Sequence, residues 1–405
     1  MLRWGVVARA NRRTALAFWF GRCGPVTRSA EAAVRDQADQ LAAAWSGADA
    51  PASWALTAAL FATLRDDPEL LGLAARIDAD RLPALLFVAA VMALVEHERP
   101  GRLFLALPAA GEPQPPLPPD FAAELRAFCL GHRDDLLALT AAHRYQMSEP
   151  ARCAHLLPAV AAVAADAGRP LALVDVGTGA GFALRLDAYR YCYHRAGGEV
   201  ISVGEPDAPV TLHTTLRGPR TPVLPVSPPP VAARIGIDTE PLDVGDPQVR
   251  GWLRACTPPV AEALTRFDQA ADYAAAHSVT MVRADVLTVL PEVFERLSDD
   301  AHPCLLDAYV HVFFTPEEQA RFRDQVARLG RSRDLDWISL DPLVPMGAEP
   351  RESVLGAELP PGLLSRAREE GVFGVLGRLA LRQGRATTRL LGLGHPGAAW
   401  LEWLA

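Results

Sequence analysis

The chain contains no lysine; all 40 of its basic residues are arginine, which reflects composition and carries no function by itself. Cysteine is scarce, with six residues and no C-x-x-C pair among them. That spacing argues against a zinc ribbon or a disulfide framework and for reduced, mostly buried thiols. The ten histidines form neither H-x-x-x-H nor H-E-x-x-H, so no motif points to a catalytic metal. A basic excess is also missing. The net charge is −8, and the dense basic run is Arg9, Arg12 and Arg13, which makes nucleic acid a poor candidate substrate. The longest apolar run, Leu82 to Val95, is shorter than the roughly 20 residues that span a bilayer. Arginines interrupt the apolar part of the N-terminus, unlike a secretory signal. The expectation is a cytoplasmic protein with no membrane segment. Also missing are internal repeats and the Asn/Asp-Pro-Pro-aromatic signature of amino-methylating nucleic-acid enzymes, since "SPPPV" at 227–231 has neither the acid or amide nor the aromatic.

What is present divides in two. From about Ser29 to Gly168 the apolar residues recur at helical spacing, as in "EAAVRDQADQLAAAW" and "LPALLFVAAVMALVEHE". A proline-dense connector, Leu107 to Asp120, interrupts them. From Leu171 short strand-like runs alternate with amphipathic segments: "LALVDVG", "AARIGIDTE", "VTMVRADVL", "PCLLDAYVHVF", "LDWISLD" and "ATTRLLGLG". Such alternation predicts an α/β fold with a mostly parallel sheet covered on both faces. We therefore expect a helical N-terminal domain over residues 1–148 and an α/β domain over 149–405. Tyr189, Tyr191 and Tyr193 alternate with polar residues ahead of "AGG", which reads as a β-hairpin inserted at about 187–232.

Chemistry concentrates at the ends of the predicted strands. "VDVGTGAG" places Gly177, Gly179 and Gly181 after the first strand, a turn that lets a ligand approach the backbone. Asp238 ends the second strand, where a carboxylate can accept both hydroxyls of a ribose. Asp285 ends the third, within reach of an adenine amino group. Asp307 ends the fourth, near a reacting group. Each Asp can equally be a cap of the next turn or helix. The G-x-G-x-G spacing departs from the G-x-G-x-x-G of dinucleotide folds. It looks like the first motif of S-adenosylmethionine-dependent methyltransferases, with Asp175 beneath the turn. The tyrosine stripe, with Tyr189 and Tyr191 foremost, can stack on a flat or cationic substrate or form the buried face of the hairpin. Arg185, Asp187 and Arg190 flank it and can hold an anionic group.

The pieces "EPARCAHLLPAV", "DVGTGAGFALRLDAYRYCY", "RIGIDTEPLDVGDPQVRGWLRA", "VRADVL", "FFTPEEQARFR" and "GHPGAAWLEWL" resemble an uncharacterised bacterial family, domain of unknown function 2332. Its second half is class I methyltransferase-like (Rossmann-like). The resemblance implies an S-adenosylmethionine site formed by Asp175, Gly177, Thr178, Gly179, Gly181, Asp238, Asp285 and Val286. It also implies that Glu149 and Arg152 line the cleft, although an acid ahead of Pro150 equally suits the start of a helix. Three positions depart from the family pattern: Ser148 replaces an Asn ahead of Glu149, Asp307 and Ala308 replace a His with a small polar residue, and the turn reads G-T-G-A-G. The expected function is methyl transfer to a small molecule; the alternatives are a non-methylating intramolecular displacement such as aziridine closure, and a non-catalytic scaffold subunit. The helical part can dock a partner in a homo- or hetero-oligomer.

Overall fold

A computed structural model describes residues 29–46, 51–101, 103, 107–108, 115–343, 353–370 and 373–405. The basic run at Arg9 to Arg13 and residues 109–114 of the proline connector lie outside them. The chain divides into two compact units. The first takes in residues up to Met147 together with Gly251–Thr265; the second takes in Ser148–Arg250 and Arg266–Ala405. The short excursion Gly251–Thr265, carried by the C-terminal part of the sequence, thus belongs with the helices that precede the α/β region. Among the described residues no helix is long and apolar enough to cross a membrane.

The first unit is helical. The helix Pro83–Glu98 is its most buried element, with Leu86, Phe87, Val91 and Val95 in the core. Its start lacks a side-chain cap of its own. The buried Gln37, from the helix Ala30–Ala44, accepts the orphan N–H of Ala84 at 3.1 Å instead. Asp67 caps the helix Pro68–Ala74 through the N–H groups of Glu69 and Leu70. Trp252 joins this core from the later excursion, and its indole N–H donates to the Arg144 carbonyl at 2.8 Å.

The second unit is built on a mixed sheet of eleven strands: β1 (Leu171–Val176), β2 (Arg190–His194), β3 (Val200–Val203), β4 (Thr211–Arg217), β5 (Val231–Asp238), β6 (Thr280–Arg283), β7 (His302–Ala308), β8 (Leu335–Pro342), β11 (Gly374–Arg382), β12 (Arg385–Gly394) and β13 (Trp400–Trp403). The short pair β9 (Ser353–Val354) and β10 (Ala357–Glu358) forms a separate ribbon. The eleven run in the order β3-β2-β4-β13-β12-β11-β8-β7-β1-β5-β6. From β6 to β8 neighbours are parallel, and β1, β7 and β8 are almost wholly buried, as expected for strands covered on both faces. β11 and β12 continue the sheet antiparallel.

The tyrosine stripe does open a hairpin: β2 pairs antiparallel with β3, and Gly197 and Gly198 take positive φ in the turn. The insertion is larger than a hairpin, however, and extends the sheet. β4 adds a third strand parallel to β2, and β3 forms an edge. The helix Cys153–Ala167 touches β4 as well as β7, β8 and β11, so the sheet curls around it.

Two prolines lie inside helices, and each leaves a carbonyl without its usual partner four residues back. Pro158 orphans the carbonyl of Ala154, and the Tyr193 hydroxyl donates to it at 2.8 Å. Pro291, in the helix Val286–Glu295, orphans Leu287, whose carbonyl accepts from the Gln325 amide at 3.4 Å. Tyr193 is therefore fixed by the needs of a buried helix.

Candidate active site

The glycine turn follows β1, and Gly177, Gly179 and Gly181 all have positive φ, between 53° and 72°. The turn is held from within. The N–H groups of Gly177 and Thr178 donate to the Ile237 carbonyl, and that of Gly181 to the Thr178 carbonyl. Gly179 N–H donates to Asp238 Oδ2 at 3.0 Å, and Gly179 O accepts from Leu242 N–H at 3.0 Å. Asp238 Oδ1 accepts from Glu240 N–H at 2.9 Å. Both oxygens of the expected ribose acceptor thus fix the chain that flanks the turn.

The space that the outer two glycines leave is also occupied. A Cβ on Gly177 would lie 2.6 Å from a Val310 methyl, and one on Gly181 would lie 2.9 Å from Arg185 Nη1. At Gly179 a Cβ would meet the Ser148 hydroxyl at 3.5 Å and Leu242 at 3.9 Å, ordinary contact distances, so the middle glycine is not crowded. Arg185 is buried and spends its guanidinium on the carbonyls of Gly181, Ala274 and His277, tying the turn to the end of the helix Ala261–Ala276. In that position it is a clamp on carbonyls, and the anion-binding role read from the sequence does not fit its geometry. Asp285 caps the next helix through Leu287 N–H at 3.0 Å, and Val286 is buried in the core behind it.

Tyr189 and Tyr191 are buried to within 1%. Their hydroxyls donate to the carbonyls of Phe182 and Leu186. Of the two readings of the stripe, the buried face is the one that the geometry matches. Tyr189 borders a cavity of about 390 Å³ with Asp187, Glu205, Asp207 and Tyr273, and no residue of the glycine turn lines it.

Polar side chains gather instead beside the turn. Glu149 receives two hydrogen bonds from Arg266, at 3.0 and 3.2 Å, and its Oε1 also accepts the N–H of Ala151. Arg152 lies over the ring of Tyr309, 4.2 Å from its centroid, and donates to the Pro396 carbonyl. Tyr309 has φ +61°, a strained backbone for a bulky residue, immediately after β7. Its hydroxyl oxygen is buried without a hydrogen-bond partner, and burial pushes its pKa up. His395 Nδ1 accepts from Gly397 N–H at 3.0 Å, which leaves the ring proton on Nε2. Burial and the nearby Arg217 lower its pKa to about 4, so it is a neutral donor at pH 7.

Behind this group stand buried carboxylates. Asp175 lies under the turn, and burial pushes its carboxyl up to about 7, with Asp307 and Asp238 adding to the rise. Asp307 accepts from the Trp337 indole and from Ser339 Oγ at 2.9 Å. Its carboxylate comes within 4.8 Å of donor atoms of His311 and Asp341, and all three residues are buried. His311 Nδ1 is 3.4 Å from Asp341 Oδ2, inside a box of Phe314, Phe322 and Trp337. One imidazole and two carboxylates form a donor set that suits a divalent ion. Spacing alone does not reveal the set, because Asp341 is on another strand. The D-x-x-x-H spacing from Asp307 to His311 was its visible half.

A family model described as an uncharacterised protein conserved in bacteria, domain of unknown function 2332, matches residues 34–403. The chain belongs to that family. No curated protein matches it.

Proposed function

We propose that this member of the uncharacterised family is an enzyme acting on a small molecule at the carboxyl ends of β1, β5 and β7. In this reading its frame is class I methyltransferase-like (Rossmann-like), and it works by in-line displacement without S-adenosylmethionine. One observation carries the reading: the chain's own side chains, Val310 and Arg185, fill the space above Gly177 and Gly181, the outer two glycines of the turn. A cofactor that rests on such a turn needs that space. Displacement needs little covalent help from a protein. It needs a nucleophile and a leaving group held in line, and cations where negative charge develops. Arg152 and Arg266 supply the cations, and Glu149 orients Arg266. Closing a small nitrogen ring, with an amine displacing a leaving group on the same molecule, is the reaction class that fits.

A second reading, methyl transfer from S-adenosylmethionine, is favoured by a different observation. The turn and Asp238 end adjacent parallel strands, and each Asp238 oxygen keeps a lone pair after its one backbone bond. Calorimetric titration with S-adenosylmethionine and S-adenosylhomocysteine separates the two. We expect no saturable binding by the folded protein. Binding that Gly179→Arg abolishes would replace the first reading with the second. Product analysis by mass spectrometry without added cofactor then tests the ring closure itself.

A further inference from the structure

At the opposite ends of the strands the sheet carries an unusual concentration of one charge. β11 and β12 are antiparallel, and their register places Arg378 opposite Arg389 and Arg382 opposite Arg385. Directly opposed residues share a face, and like charges so placed destabilise a sheet. On that face only Ala380 and Thr387 lie between the two pairs. Two carboxylates answer the four guanidiniums. The fully buried Asp336 accepts from Arg378 Nε at 2.7 Å and from Arg382, and it also meets His302 Nε2 at 2.7 Å. Asp166 meets Arg378 Nη2 at 2.7 Å. Arg385 and Arg389 are exposed and have no ion pair or hydrogen bond among the described residues. Four positive charges against two negative ones leave a surplus at one spot of a chain whose net charge is −8.

The same residues line a cavity of about 320 Å³: Asp166, Arg378, Ala380, Arg382, Thr387 and Arg389. Its floor is rigid, because Arg378 is buried and anchored on both sides by carboxylates. Its open wall is Arg389, and Thr387 adds a hydroxyl beside it. Guanidinium forks at a concave site match the oxygens of a tetrahedral oxyanion.

We propose that this cavity binds a small phosphate-type oxyanion, whose charge relieves the opposed arginine pairs. The site lies beside the first residues of β7 and β8 and does not depend on the chemistry proposed for their other ends. Arg389 closes the ligand from the open side, and Thr387 donates to it.

The test is calorimetric titration of the full chain at low ionic strength with inorganic phosphate and with methyl phosphate, against a chloride-matched control. We expect saturable binding of one anion per chain and about tenfold or greater weakening in Arg389→Gln, as for loss of a charge-assisted hydrogen bond. Tighter binding of the ester identifies an esterified ligand, and equal binding identifies the free anion. Thermal melting gives a second readout with a change of sign. Without phosphate, Arg389→Gln melts higher than the parent chain at low salt, because an opposed pair is gone. With phosphate, the parent rises and the variant does not. No saturable binding of either anion by the parent chain, or equal binding by the variant, overturns the proposal.

Discussion

Asp341 and Asp336 stand on the same strand, near its two ends, and both are completely buried. Around Asp336 are two guanidiniums and an imidazole. Asp307, near Asp341, accepts from an indole and a serine hydroxyl, and Asp341 itself meets a histidine set among aromatic rings. Equal burial therefore has opposite electrostatic results. Burial alone would push Asp336 up, but His302, Arg378 and Arg382 hold its carboxyl below the usual range. Asp175, whose charged neighbours Asp307 and Asp238 add to the effect of burial, is pushed up to about 7. A buried acid paired with arginine is a structural element. Acids gathered beside a strained backbone, one of them raised by burial and by its acidic neighbours, mark the end where chemistry is expected.

The contrast can be broken at its strongest point first. Asp336→Ala leaves Arg378 buried with one of its two carboxylates gone, and such a loss costs about 3–5 kcal/mol. Urea denaturation measures it, and a cost under about 1 kcal/mol would mean that the arginines simply return to water. The next test concerns pH. Asp175 is raised from 3.8 to about 7, so its stabilising share is full below pH 3.8 and is lost as pH rises through 7. Asp336 is lowered, so its share is present above pH 3.8 and is lost as pH falls. Urea midpoints of Asp175→Asn should therefore gain on the parent chain between pH 5 and pH 7.5. Parallel curves for the two proteins would show that Asp175 is ionised in the folded state at both pH values.

Gly177→Ala probes the turn itself. It combines a left-handed backbone with a contact on Val310, and about 2 kcal/mol or more should be lost. A neutral result would mean that Val310 moves easily and that the space above the turn opens to a ligand. The smallest effect is expected away from both ends. Tyr193→Phe leaves the Ala154 carbonyl, already orphaned by Pro158, with no donor, at about 1–2 kcal/mol. Denaturation of that variant, unlike the acid variants, should show the same loss at every pH from 5 to 8.

Much of the second unit could be read from its pattern. Each of the six apolar runs contains a strand, and the turn, Asp238 and Asp307 do end parallel neighbours. These are local signals: periodicity, glycine and an acid at a strand end. What escaped depends on pairing between distant segments. Nothing near His311 announces Asp341, 30 residues on and on another strand. The strand β11 does not read as one, because its glycines and arginines blur the apolar alternation. The bond of Asp238 to Gly179 also lies beyond sequence reading, since the insertion separates them.

The strand order has a consequence for how the molecule comes together. β3, β2 and β4 meet the other eight strands through the ladder of β4 and β13, which pairs Thr215 with Trp400 and Arg217 with Glu402. The chain leaves β1, makes this three-strand block, and returns to lay β5 against β1. Such contacts yield their hydrogen bonds only after long loops have closed, so folding should be slow, in the millisecond-to-second range of non-local β topologies. The β4–β13 ladder is short, and its backbone amides should exchange with solvent by a partial opening that frees the block while β1, β7 and β8 stay closed.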